Sequence, residues 1–203
     1  MKMESSNKTL QTAGKDPGGR VPAPGSLRLV QALVNTLNAE IGQDLLGTEA
    51  EATRWLTAAG LLPDQPASAA ELTAAEHAAL VNVREAVRGV LSANTSRRED
   101  PAAASRLTLA LASCRLGVTI EPGGTVALVS ADHDRFARIA GTVAIAIAEA
   151  AAAGTWTRLK SCPGELCGWA FYDRSAAGRS VWCSMQLCGA RAKMRAYRSR
   201  QDS

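Results

Sequence analysis

Two copies of one cysteine pattern lie near the C-terminal end of the chain. They are Cys162-Pro163-Gly164-Glu165-Leu166-Cys167-Gly168 and Cys183-Ser184-Met185-Gln186-Leu187-Cys188-Gly189, and fifteen residues separate the two pairs. Two thiolate pairs at such a spacing can close a tetrahedral metal site. The glycine after each second cysteine can take a positive φ and so turn backbone N–H groups towards sulfur. The pattern therefore predicts a structural zinc ion. Its predicted ligands are Cys162, Cys167, Cys183 and Cys188.

Other arrangements of these cysteines are chemically open. Four cysteines can also form disulfides, cluster by accident or hold an iron–sulfur cluster. The repeated spacing favours zinc, and five cysteines, an odd number, fit a reducing compartment better than a disulfide framework. The fifth, Cys114, lies in an apolar run and is expected to be a small buried side chain.

Bulky aromatic residues lie between the two cysteine pairs. Trp169, Phe171 and Trp182 alternate in the manner of short strands. A module this small needs such side chains to build a core around its metal, so a structural role is the first interpretation. The alternative is that they stack on nucleic-acid bases.

A basic segment rich in helix formers follows the second cysteine pair. In a helix starting there, Arg191, Arg195 and Arg198 share one stripe by i+4 and i+7 spacing, and Lys193 and Arg200 widen it. A helix of this kind can enter a DNA major groove, where arginine reads guanine edges and other cations hold phosphate. A solvated terminal tail is the alternative. The predicted nucleic-acid-binding residues are Arg174, Arg179, Arg191, Lys193, Arg195, Arg198 and Arg200.

Charge is divided unevenly along the chain. Residues 158–200 carry nine basic and two acidic side chains, a net charge of +7, so the rest of the chain carries −3 of the total of +4. A mildly acidic body with a strongly basic finger is expected when one part of a protein meets a polyanion.

The remainder of the chain indicates a mainly α fold. Residues 1–26 lack hydrophobic periodicity and are predicted to be a disordered leader. Residues 27–157 are predicted to form a helical domain with one small β-hairpin, and residues 158–203 the finger with its basic helix. The features that set the predicted elements are the apolar stripe from Leu27 to Leu37, capping boxes at Thr48 and Thr73, Pro101 in a first helical turn, Pro122-Gly123-Gly124 in a hairpin turn, and Asp132 as a helix cap.

Several protein classes are disfavoured. No apolar segment has the length of a signal peptide core or a membrane span, so a cytoplasmic protein without membrane contact is expected. There is no glycine-rich phosphate loop, no histidine–carboxylate metal set and no nucleophile motif. Because four cysteines leave a zinc ion no open position, the metal is expected to be structural and the protein not an enzyme.

A segment of about 35 residues resembles the bacterial CGNR zinc-finger family. The matching residues are Cys162-Pro163, Cys167-Gly168-Trp169-Ala170-Phe171-Tyr172-Asp173-Arg174-Ser175, Arg179, Trp182-Cys183-Ser184-Met185 and Cys188-Gly189-Ala190-Arg191-Ala192-Lys193. The resemblance implies that the four cysteines are the zinc ligands and that Arg191 and Lys193 belong to a DNA-facing segment. The chain departs from the family at Ala190, where the family has the asparagine of its name.

A weaker resemblance covers roughly residues 27–155. Leu33-Val34-Asn35-Thr36-Leu37, Trp55-Leu56 and Gly60-Leu61-Leu62 are similar to motifs of the ABATE domain, which precedes the finger in that family. Ala32 stands where those motifs often carry aspartate. Asn35 and Thr36 are the polar pair in the first helical stripe. They are expected to satisfy neighbouring backbone groups or to lie at the rim of the core, and a ligand contact is the alternative.

The function that follows from these features is that of a bacterial DNA-binding transcription regulator. The expected partners are double-stranded DNA, RNA polymerase or another transcription factor, and a second copy of the chain. Two other functions remain open at this stage: a zinc-dependent module that binds the transcription machinery, and a redox or metal sensor that uses the four thiolates.

Overall fold

The computed structural model describes residues 10–63 and 71–201. The helices in this part of the chain are α1 (Leu27–Val34), α2 (Glu49–Ala58), α3 (Ala74–Ser96), α4 (Pro101–Ala110), α5 (Arg135–Ala152) and α6 (Ala190–Gln201). The strands form antiparallel hairpins: β1 (Leu37–Asn38) with β2 (Gln43–Asp44), β3 (Leu116–Ile120) with β4 (Val126–Ser130), and β5 (Leu159–Ser161) with β6 (Ala170–Tyr172). The mainly α fold ending in a helix is therefore confirmed.

Most helix starts agree with the capping signals in the sequence. Thr73 and Glu76 form a complete capping box at α3, and Pro101 occupies the first turn of α4. At α5 the cap is Asp134, which accepts a hydrogen bond from Ala137 N, and not the predicted Asp132. Asp132 instead accepts from Arg115 N at 2.7 Å, because it still lies in the segment that leaves β4.

The described part of the helical domain contains two hairpins and not the single one expected. Helix α1 ends at Val34, before the end of the apolar stripe, and Leu37 pairs with Asp44 in the extra hairpin β1–β2. Gly42, with a φ of +65°, allows the tight turn between these two strands. The predicted hairpin β3–β4 forms around the Pro-Gly-Gly turn, with Ile120 opposite Val126.

The main core lies between α1, α3 and α5. Leu33 of α1, Val87 of α3 and Val143 of α5 are each at most 1% exposed. The hairpin β5–β6 enters the same core, since Leu159 and Ala170 are fully buried in it. The chain that carries the first cysteine pair is thus built into the body of the protein.

Residues 10–26 are packed and do not form the disordered leader that was predicted; residues 1–9 lie outside the described residues. Ala13 is fully buried and its N–H donates to Asn35 O at 2.7 Å. Arg20 Nε donates to Cys183 O at 2.7 Å, which ties this segment to the finger. The segment forms no helix or strand, which agrees with the lack of a hydrophobic period in its sequence.

No helix within residues 10–63 and 71–201 is both long and apolar enough to span a bilayer.

Candidate metal centre and basic helix

The four predicted metal ligands converge on one point. The Sγ atoms of Cys162, Cys167, Cys183 and Cys188 all lie within 4.8 Å of one another. Cys183 Sγ is 3.7 Å from the sulfurs of both Cys167 and Cys188. Four sulfurs bound to zinc at about 2.3 Å in a tetrahedron lie about 3.8 Å apart. The cluster therefore has the ligand type and the spacing of a tetrahedral thiolate site.

The first cysteine pair is held by a tight turn at the end of β5. Cys162 N donates to Trp169 O and Cys167 N donates to Gly164 O, both at 2.9 Å. Leu166 and Gly168 have φ values of +60° and +57°, so the predicted left-handed glycine after the second cysteine is present here. The exposed leucine before that cysteine is also left-handed, a conformation that the sequence did not signal.

Gly164 approaches the cluster closely. A Cβ atom at this position would lie 3.1 Å from Cys167 Cβ and 3.2 Å from Cys188 Sγ. Any larger residue would press on these two ligands. Sequence reasoning missed this role, although a glycine two residues after the first cysteine, with no equivalent in the second copy, was a visible signal.

The second cysteine pair has a different structure from the first despite the shared pattern. Ser184 Oγ accepts from Leu187 N and caps a π-helical turn, Met185–Gly189, that continues directly into α6. Gly189 does not take a positive φ, which corrects the expectation for this copy. Its backbone is instead approached closely, since an added Cβ would lie 3.1 Å from Met185 Sδ and 3.3 Å from Trp182 Cδ1.

Proton sharing among the thiols shows how closely they interact. Hydrogen bonds from Cys167 and Cys183 lower the pKa of Cys162 to about 2. The bond to Cys162 raises the pKa of Cys167 to about 12, and burial raises the pKa of Cys188. The four thiols are therefore strongly coupled, and a cation bound among them would replace their protons.

The aromatic residues form a small second core around the cysteines. Trp169 and Phe171 are buried with the sulfurs, and Trp182 is partly buried against them. Phe171 is fully buried, and the Arg20 guanidinium lies 4.8 Å from the centre of its ring. A buried ring cannot stack on a nucleic-acid base, so the geometry supports the structural interpretation of these residues.

Helix α6 extends from the metal centre with most of its surface exposed. None of its residues, 190–201, is buried. Arg191, Arg195 and Arg198 line one shallow groove of about 380 Å³, together with Leu187 and Met194. The predicted stripe is therefore a real face of the helix. Lys193 and Arg200 are exposed but do not line this groove, so the prediction that they widen the stripe is wrong.

Two of the arginines on this face have acidic neighbours. Arg191 Nη1 lies 2.7 Å from Glu40 Oε1, a residue in the turn between β1 and β2. Arg195 lies 4.0 Å from Glu165, which belongs to the first cysteine turn. These partly exposed pairs are weak, so a polyanion can displace them.

Arg174 and Arg179 lie on the loop between β6 and the second cysteine pair, and neither lines the groove of α6. Arg174 donates to Pro22 O at 2.9 Å and its guanidinium lies over the Tyr172 ring at 5.3 Å. Arg179 is exposed.

Asn35 joins the finger to the helical domain. Its Nδ2 donates to Ala170 O at 2.9 Å, and its Oδ1 accepts from Ala170 N at 2.7 Å. The buried amide thus makes the two backbone hydrogen bonds to Ala170 that a neighbouring strand would otherwise make. Arg88 adds a second link, because its guanidinium donates to Gly168 O at 2.6 Å and to Val34 O at 2.9 Å. The expectation that Asn35 satisfies backbone groups agrees with this contact.

A buried ion pair organises the loop that leads to the second cysteine pair. Lys160 Nζ lies 2.8 Å from Asp173 Oδ2 and also donates to Gly178 O and Ser180 O. Although burial alone would raise the pKa of Asp173, the hydrogen bonds from Lys160, Ser175 and Ser180 N hold that pKa well below its usual range. Asp173 therefore stays ionised and fixes the loop.

Comparison with family models gives two matches. Residues 27–155 match the ABATE model, described as "Putative stress-induced transcription regulator", which covers more than half of the chain. The chain belongs to the ABATE family. The segment that follows this ABATE unit, residues 158–201, matches the CGNR zinc finger model. Both resemblances noted in the sequence are thereby confirmed. No curated protein matches the chain.

Together the two matches indicate that the chain is a zinc-finger regulatory protein of the ABATE family. Within it, Ala190 is the first residue of α6 and is exposed. The side chain at this position therefore faces outwards from the start of the basic helix, beside Arg191. Ala32, the other departure noted above, is buried in the main core.

Proposed function

We propose that this protein is a DNA-binding transcription regulator in which a structural zinc ion aims α6 at DNA. The observation that carries the proposal is the direct continuation of the second cysteine turn into a helix that has no buried residue and presents three arginines on one face. A helix with this anchoring and charge can enter the major groove, where its arginines contact phosphates and the edges of bases.

Zinc suits the cluster because all four groups are thiols at tetrahedral spacing. When bound, zinc would supply charge neutralisation and folding free energy rather than a reactive site, since four thiolates fill its coordination. The role proposed for the protein is accordingly binding and not catalysis.

The length of α6 bears on how DNA is read. Twelve residues make a helix of about 18 Å, which reaches only a few base pairs in one groove. A single short helix of this kind has limited specificity, so binding as a dimer to two half-sites is part of the proposal. The charge division supports the same arrangement, because the acidic body would stay away from the phosphates.

A second candidate function is recognition of an acidic protein segment. The groove of α6 combines Leu187 and Met194, which are 43% and 54% exposed, with the arginine face. An amphipathic acidic helix, such as one in the transcription machinery, would match this combination.

The proposal can be tested with charge-matched variants. Arg195→Gln with Arg198→Gln removes two charges from the face of α6. Arg54→Gln with Arg138→Gln removes two exposed charges from α2 and α5. We expect the α6 variant to lose binding to genomic DNA fragments at moderate salt, and the control variant to keep it, with equal zinc content in both.

Equal DNA affinity of the α6 variant, the control variant and the wild type would contradict the proposal. Capture of an acidic partner that survives nuclease treatment, without any shift of DNA fragments, would favour the second candidate.

A further inference from the structure

A cleft of about 730 Å³ lies where the ABATE unit meets the finger. One wall is the end of α3 with the turn into α4, and the other comes from residues 157–160 and 177–178 of the finger side. We call it the seam cleft and define it by Ala93, Arg97, Arg98, Ala104, Arg158 and Gly178. It is separate from the groove of α6 and shares no residue with it.

Three guanidinium groups border the seam cleft without a carboxylate partner. Among the described residues, Arg97, Arg98 and Arg158 take part in no ion pair. Of the two carboxylates that line the cleft, Asp100 is engaged as the cap of α4, where it accepts from Ala103 N at 2.8 Å, and the other is Glu99. The arginines that line the cleft therefore outnumber the carboxylates that line it, and the cleft carries a net positive charge.

Two of these arginines are satisfied by neutral carbonyl groups of the finger loop. Arg158 Nη1 donates to Ser175 O at 2.8 Å and to Asp173 O at 3.1 Å. Arg97 Nη2 donates to Gly178 O. A carboxylate or phosphate accepts hydrogen bonds from guanidinium more strongly than a carbonyl does, and can do so with two bonds at once. An anion would thus compete favourably for these donors.

The backbone at Arg97 is also unusual. Its φ of +56° places it in the left-handed region at the end of α3, where glycine or asparagine is the common residue. The structure keeps a long cationic side chain in this costly conformation, and that conformation directs the guanidinium across the seam to Gly178. Strained backbone that places a specific side chain is typical of binding sites.

Part of the lining of the seam cleft is apolar. Val90 and Ala93 of α3 and Pro101 and Ala104 of α4 belong to it. Apolar lining beside cations fits a small molecule with an apolar body and an anionic group, whereas a fully hydrated inorganic ion would gain nothing from the apolar lining.

We propose that the seam cleft binds a small organic anion, a carboxylate or a phosphate ester, between Arg97, Arg98 and Arg158. Occupancy withdraws guanidinium donors from the loop carbonyls of residues 173–178, and this loop leads to the second cysteine pair and α6. The ligand site is independent of DNA binding; only its regulatory consequence rests on the function proposed above.

Titration of the zinc-loaded full chain, labelled with 15N and free of DNA, provides the test. The probes are benzoate and phenyl phosphate, with benzyl alcohol as a neutral probe of similar shape. We expect both anions to cause saturable shifts of the amides of residues 97–100, 102–104 and 177–178, and benzyl alcohol to bind at least tenfold more weakly. The ratio of the two anion affinities distinguishes a carboxylate from a phosphate ligand.

Two variants and a control complete the experiment. Arg98→Gln and Ala104→Trp, both at exposed positions, should weaken anion binding at least tenfold, by loss of charge and by filling of the cleft. Arg54→Gln on α2 should leave it unchanged. Absence of saturable shifts at the cleft, equal binding of benzyl alcohol, or unchanged affinity in both variants would overturn the proposal.

Discussion

Replacement of Asn35 by alanine tests whether the finger and the ABATE unit fold as one body. The substitution removes the acceptor for Ala170 N and one donor to Ala170 O, both in a buried setting. Gln31 Nε2 still donates to Ala170 O at 3.2 Å, so only the N–H group of Ala170 is left without a partner.

The expected loss of stability follows from the two hydrogen bonds that Ala170 loses. An orphaned buried donor costs about 1–3 kcal/mol, and the lost bond to the carbonyl adds about 0.5–1.5 kcal/mol. We therefore expect Asn35→Ala to lower the free energy of unfolding by about 2–4 kcal/mol. Asn38→Ala is the matched control, because Asn38 is only partly buried and its Nδ2 donates to Ala13 O at 3.0 Å. We expect it to cost less than about 1 kcal/mol.

Urea unfolding of the zinc-loaded protein, followed by circular dichroism and by tryptophan fluorescence, measures both quantities. The two signals should give one coincident transition in the wild type, since β5 and β6 share the core of α1 and α3. A cost for Asn35→Ala no larger than that for Asn38→Ala, or separate transitions in the wild type, would refute the reasoning.

Three further predictions concern charge and metal. The Arg135 hydrogen bond lowers the pKa of Glu76 from 4.5 to about 2. The ionised carboxylate therefore stabilises the fold at neutral pH, and this contribution is lost as the pH falls from about 5 towards 2. In thermal unfolding, Glu76→Gln should lower the free energy of unfolding by about 1–2 kcal/mol at pH 7 and by almost nothing near pH 2. Cys183→Ser should reduce bound zinc well below one ion per chain by elemental analysis, because three thiolates hold the metal more weakly than four; retention of a full ion would show that Cys183 is not a ligand. Glu40→Gln should increase DNA affinity about two- to fivefold at low salt, because it frees Arg191, and an unchanged affinity in a fluorescence titration would show that this ion pair does not compete with DNA.

The parts of the structure that depend on short sequence spacing could be predicted. The cysteine spacing brought four thiols to one point, and the capping box at Thr73 and the proline at position 101 marked helix starts. Such signals act between neighbours in the chain, so they can be read without knowledge of the fold. The residue that caps α5 could not be predicted in this way, because either Asp132 or Asp134 can cap a helix. The contact between Asp132 and Arg115, which only the folded structure shows, leaves Asp134 as the cap.

Contacts between distant segments escaped the sequence. Asn35 meets Ala170 across 135 positions, and Arg20 meets Cys183 across 163. No periodic pattern in the sequence indicates such pairs. Residues 10–26 were therefore predicted to be disordered, and the finger was predicted to be a separate module. The two cysteine copies also diverged, since Gly168 supplies a positive φ while Gly189 supplies close packing beside Met185.

The salt dependence of DNA binding is the most direct test of the central claim that α6, aimed by zinc, contacts DNA. Fluorescence anisotropy with labelled genomic fragments, repeated from about 50 to 200 mM salt, gives the slope of log affinity against log salt. We predict a slope of about −4 for the zinc-loaded wild type, which corresponds to about four or five phosphate contacts. For the variant with Arg195→Gln and Arg198→Gln we predict a slope of about −2. Binding that is insensitive to salt, or an identical slope for the wild type and the variant, would contradict the account.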